Sequence, residues 1–174
     1  YKEVGYTVIN VTLPEYDVRI YEPPPNVYGI LAAPPCTMFS LARTRAKTPR
    51  NFAEGMELVC ACLDIIWKCQ TDSKLLNFWV MENPMGYLRR FMGKPVFTFH
   101  PCDFGDPYTK KTELWGYFNI PKLHPIQLTA FEKYLCSQNN RQLPSISEIT
   151  GSKQSDKRAI TPLGFAKAFF EANK

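Results

Sequence analysis

The sequence predicts an α/β fold, a doubly wound and mostly parallel sheet with helices on both faces, and three observations predict it. Short β-branched and apolar runs alternate with amphipathic stretches of helical length. Two of those runs end in chemically distinctive tips, Pro34-Pro35-Cys36 and Glu82-Asn83-Pro84. The carboxyl ends of strands are where open α/β sheets bind ligands. Finally, 174 residues with 45% hydrophobic and 21% charged content build one globular core rather than a disordered chain.

Each element follows from its residues. Tyr1 to Val4 reads as the last turn of a helix that Gly5 stops, and Tyr6 to Leu13 (YTVINVTL) as a buried strand. Pro23-Pro24-Pro25-Asn26 is a rigid loop, and Val27 to Ala33 a second buried strand. Thr48-Pro49 opens a long helix to about Gln70, with Phe52, Met56, Val59, Cys60, Leu63, Ile66 and Trp67 as its apolar stripe. Leu75 to Met81 is a third strand, Tyr87 to Met92 a short basic helix, and Val96 to His100 and Glu113 to Phe118 two further strands. The stretch 119–155 is polar and broken by prolines, with one helix expected around Gln127 to Cys136. Thr161-Pro162 starts a final amphipathic helix through Ala172.

Charge and cysteine usage narrow the function classes. The 21 Lys and Arg against 16 Asp and Glu give a net charge of +5, which permits an anionic partner without the dense basic block of a DNA-binding arm. No apolar run approaches the roughly 20 residues of a membrane helix. No export leader is visible, so the expected setting is cytoplasmic. The six cysteines (Cys36, Cys60, Cys62, Cys69, Cys102 and Cys136) are read as reduced thiols, because a chain this rich in core residues needs no disulfide framework. Cys60 and Cys62 form a CxC inside a helical stretch rather than a CxxC on a turn, so no metal site is expected.

Three places could carry chemistry. Cys36 follows two prolines that stiffen the strand tip, with Arg43, Arg45 and Lys47 downstream as sources of positive charge. It reads either as a nucleophile or as a buried structural cysteine. Glu82, directly after the apolar run Phe78-Trp79-Val80-Met81, reads either as a general acid or as a carboxylate at the start of the next helix. The loop Asp103 to Thr112 contains Lys110 and Lys111, which could hold a phosphate or a base or be solvated surface charge. His100 and His124 flank this loop and read as satisfied or exposed side chains.

Taken in order, these segments resemble the DNA cytosine-5 methyltransferase family over about 95 residues. Asp17-Val18-Arg19-Ile20 is similar to the family's Gly-Asp-Ile segment, and Pro34-Pro35-Cys36-Thr37-Met38-Phe39-Ser40 to its Pro-Pro-Cys-Gln-x-Phe-Ser loop, with Thr37 in place of Gln. Glu82-Asn83 resembles its Glu-Asn pair, with Pro84 where Val is usual. Gly105 to Thr112 aligns with Gly-x-Pro-Gln-x-Arg-x-Arg, with Tyr108, Lys110 and Thr112 replacing Gln and the two arginines. Shorter phage and bacterial methylase-like proteins share the Glu-Asn-Pro and Lys-x-Thr-x-Leu-Trp segments. Arg158 to Ala166 is similar to the start of their C-terminal helix.

The resemblance implies a Rossmann-like methyltransferase sheet and transfer of a methyl group from S-adenosylmethionine to carbon 5 of cytosine in DNA. It assigns Cys36 as nucleophile, Glu82 as the group that holds ring nitrogen 3, and Lys110 as an accessory contact to the base. Asp17 and Pro34 are assigned to the cofactor, and Ser40 and Asn83 to the substrate. The family's glycine-rich cofactor loop would precede Tyr1, so an omitted N-terminal segment is expected. The whole chain is expected to be a single domain, with 119–155 a small insertion in place of a full DNA-recognition domain. Two alternatives remain open at this point. One is a non-catalytic nucleic-acid-binding module of the same fold. The other is a related carbon-5 modification that uses another one-carbon donor or a free nucleotide.

Overall fold

The fold is given by a computed structural model, which describes residues 1–44, 46–72, 75–129, 133, 143–146, 148 and 159–174. A 3-10 turn (Lys2–Val4) is followed by β1 (Gly29–Ala32), α1 (Phe52–Asp72), β2 (Phe78–Pro84), α2 (Arg89–Met92) and β3 (Phe97–Phe99). A second 3-10 turn (Pro101–Phe104), β4 (Thr112–Tyr117) and α3 (Leu163–Ala172) complete the order. The strands are hydrogen-bonded in the order β1-β2-β4-β3. β1 and β2 are parallel, in register from Gly29 opposite Phe78 to Ala32 opposite Met81.

The α/β class holds, but the sheet is mixed and only partly parallel, which corrects the expectation of a mostly parallel one. Parallel neighbours need a long crossover, usually a helix. Among the described residues, α1 between β1 and β2 is such a crossover. No described helix is long and apolar enough to cross a membrane.

The chain divides into two compact units, one formed by Tyr1–Val96 with Glu113–Phe118, the other by Phe97–Thr112 with Asn119–Lys174. In the first, Phe39, Val59, Met81, Leu88 and Trp115 form a buried cluster, with Ala32, Phe52, Met56, Leu63 and Trp79 packed against it. The Trp115 indole N–H donates to the Gly93 carbonyl at 3.0 Å, so burying this ring leaves its polar edge satisfied. Helix α1 starts at Phe52 rather than Thr48. Asn51 supplies the reason, because its side-chain oxygen accepts the Glu54 backbone N–H at 3.2 Å, as an N-cap does. The buried face of α1 runs through Gly55, Val59, Ile66 and Cys69. Cys60 and Trp67 lie outside it, and Trp67 is 65% exposed.

The strand expected over Tyr6 to Leu13 does not form, and Val8, Ile9 and Leu13 are exposed. β-branched residues favour extended backbone, but a strand also needs a neighbouring ladder. The order β1-β2-β4-β3 has no place for this segment. β2 begins three residues later than expected and runs on through Glu82, Asn83 and Pro84, so these residues belong to the strand rather than lying beyond it.

The second unit is organised by rings. Phe99 stacks on Phe165 at 4.2 Å, and Phe104 meets both rings edge-on at 5.4 Å. Pro162, before α3, has no side-chain cap to offer, and Asp106 takes that part by accepting the Gly164 N–H at 3.1 Å. A side chain at Gly164 would collide with the Phe104 carbonyl. Past the end of α3, Asn173 accepts from the Asn119 N–H at 2.8 Å and donates to the Asn119 carbonyl at 3.0 Å. Of the helix expected near Gln127 to Cys136, residues 127–129 are irregular, while Lys133 is helical and donates to the Thr129 carbonyl. The rest of that helix lies outside the described residues, as do Arg158 and Cys136.

Candidate active site

The site begins where β1 ends. The chain passes through Ala33 and a buried Pro34 to an exposed Pro35 and a half-buried Cys36. The Cys36 carbonyl accepts from the N–H groups of Phe39 (2.9 Å) and Ser40 (2.7 Å), which closes a tight turn. Phe39 anchors that turn, fully buried and packed against Phe52 and Phe91. On the far side, Ser40 bridges to Gly86, and the Tyr87 N–H donates to the Phe39 carbonyl at 2.8 Å. Gly86 is required there, since any Cβ would run into that carbonyl. Arg50 completes the enclosure by donating to the Met38 carbonyl at 2.9 Å and the Ser40 carbonyl at 2.8 Å.

The neighbouring strand supplies the second tip. Asn83 is completely buried, and its side-chain N–H donates to the Pro34 carbonyl at 2.9 Å. Its side-chain oxygen has no hydrogen-bond partner among the described residues. Glu82, half-buried, precedes it in β2. Because β1 and β2 are adjacent and in register, the Asn83 bond fastens the Pro-Pro-Cys tip to the Glu-Asn tip. The Ser40 hydroxyl accepts the Ala42 N–H at 3.2 Å, so this residue also braces the turn.

The other expected residues are placed differently. Asp17 lies in the first unit, but Arg19 occupies both of its carboxylate oxygens, at 2.5 to 3.0 Å. Hydrogen bonds from the Arg19 side chain and backbone pull the Asp17 pKa down to about 2. Lys110 belongs to the second unit, half-buried on the loop before β4. Its carbonyl accepts from the Thr112 hydroxyl at 3.1 Å. The preceding residue, Thr109, is held by two backbone bonds, to the Pro144 carbonyl (2.9 Å) and from the Ile146 N–H (3.0 Å). Burial pushes the thiols of Cys62 and Cys102 up, and Asp103 adds to the effect at Cys102.

Of the cations downstream of Cys36, Arg43 is bonded to the Thr48 hydroxyl at 2.8 Å, Lys47 is exposed, and Arg45 lies outside the described residues. The cation that does reach the turn is Arg50, which the sequence reading missed. One signal for it was present: an arginine just before a helix N-terminus opposes the helix dipole and so needs another partner. Neither a scan of protein-family models nor a comparison with curated proteins finds a match to this chain.

Proposed function

We propose that this chain acts on carbon 5 of cytosine in DNA, in a methyl transfer that proceeds through a covalent bond to Cys36. The observation that supports this reading best is the hydrogen bond from Asn83 to Pro34, which keeps the cysteine turn beside the Glu-Asn tip. Carbon 5 of cytosine is a poor nucleophile until a second nucleophile adds to carbon 6. The Cys36 thiolate makes that addition, and Glu82 holds the protonated ring nitrogen 3 and so stabilises the charge that develops. Carbon 5 then takes up an electrophile, and loss of its original proton to solvent breaks the bond to sulfur, returns the thiolate and restores the ring. The target base is flipped out of the duplex or offered on a single strand. Asn83 and Ser40 serve the substrate by holding the turn that presents Cys36.

S-adenosylmethionine, when bound, supplies an electrophilic methyl group. The described residues do not form its pocket: Asp17 is engaged by Arg19, and the Pro34 carbonyl by Asn83. The chemistry assigned to this chain therefore stops at activating the base. A doubly wound, Rossmann-like sheet belongs to the same proposal, supported by the parallel β1–α1–β2 unit. A cytoplasmic setting goes with it, where Cys36 stays reduced.

The test is release of tritium from carbon 5 of tritiated cytosine in DNA, which base activation drives without a methyl donor. Release is expected with the native chain and is lost in Cys36→Ala. Full activity in C36A would contradict the mechanism. The closure of Asp17 by Arg19 favours a second reading, a nucleic-acid-binding module that transfers nothing. That reading calls for DNA binding that weakens steeply with salt, is untouched by C36A, and comes with no tritium release.

A further inference from the structure

We infer that Arg50 is the positioning residue for Cys36, an inference that rests on the reaction proposed above for its chemistry and on hydrogen bonding for its geometry. Three consecutive carbonyls of the cysteine turn each receive a donor from outside the turn. Met38 and Ser40 are taken by the two ends of the Arg50 guanidinium, and Phe39 between them by the Tyr87 N–H. The guanidinium is itself held in place, with its central carbon 4.9 Å from the centre of the Tyr87 ring. Tyr87 in turn packs edge-on against Phe52. One rigid group therefore fixes two carbonyls that flank a third, and the cysteine at the head of the turn inherits that fixed geometry.

The chemistry of the side chain explains why arginine does this. Its planar fork reaches two acceptors at once, whereas a lysine ammonium is a single point on a flexible stem. Charge-assisted bonds to two partly buried carbonyls also offset the unfavourable site next to the α1 N-terminus. Without Arg50 the turn would still be fastened at Pro34 by Asn83 and at Phe39 by Tyr87. The chain would fold, but the turn would open locally. An attacking atom displaced by about 1 Å can cost on the order of a hundredfold in rate.

The experiment compares the native 174-residue chain with Arg50→Met and Arg50→Lys. Each cysteine is alkylated with iodoacetamide over a range of pH, and the sites are resolved by peptide mass mapping. Cys69, buried on α1 at 3% exposure, reports global loosening. Cys36 is expected to react about tenfold faster in R50M, as loss of charge-assisted bonds allows local opening, while Cys69 keeps its native rate. R50K should fall between the two. The inference is overturned if Cys36 in R50M reacts at the native rate, if Cys36 and Cys69 accelerate together, or if R50K matches the native chain. Labelling requires neither DNA nor methyl donor. A native chain that releases no tritium from carbon 5 would thus overturn the proposed reaction, while labelling alone decides the role of Arg50.

Discussion

Asp17 and Arg19 form a closed pair two residues apart, with the guanidinium on both carboxylate oxygens. The carboxyl is therefore held well below the ordinary range, at about 2. The sign of its linkage to stability follows. A group whose pKa is depressed by folding stabilises the fold above its unfolded value, and the contribution disappears as pH falls through the folded one. A carboxyl-resolved NMR titration is expected to show Asp17 ionised well into the acid range, and Arg19→Gln to return it toward the ordinary carboxylate value. Titration of the native residue in the ordinary range would contradict the pairing. The pair is local, yet Asp17-Val18-Arg19 read only as part of a cofactor segment. What the sequence could not convey is that the guanidinium takes both oxygens, which leaves the acid a poor acceptor for anything else.

Helical period located α1 well, because one face of a long helix must be apolar wherever it packs. The edges of that face came only with the structure. Ile66 is 2% exposed and Trp67 65%, although both were read into one stripe. Ile66→Ala is expected to cost about 2–5 kcal/mol by denaturant unfolding, and Trp67→Ala within about 0.5 kcal/mol of nothing. Similar losses at the two positions would mean that the helix is turned differently. The β1 and β2 runs were legible for a comparable reason, as short apolar stretches ended by proline-rich or polar tips. Tyr6 to Leu13 has the same composition and forms no strand, because pairing depends on a neighbour that composition does not reveal.

Across the molecule, the chemistry-bearing segments were readable as local strings, and their fastening was not. The bond from Asn83 to Pro34 spans 49 residues, and those from Arg50 span 12 and 10. Such contacts exist only once β1, α1 and β2 have come together. The same holds for Asp106, which read as part of a ligand loop and in the fold caps α3 from 58 residues away. The central claim is that Cys36 adds to carbon 6 of cytosine with Glu82 at nitrogen 3. Its most direct test needs no methyl donor. Addition makes carbon 5 basic, so it takes up a solvent proton. Reversal of the addition then returns cytosine with exchanged hydrogen. Deuterium uptake at carbon 5 of cytosine in DNA, followed in heavy water, is expected with the native chain, much slower in Glu82→Gln and absent in Cys36→Ala. Uptake in C36A at the native rate, or none with the native chain, would contradict it.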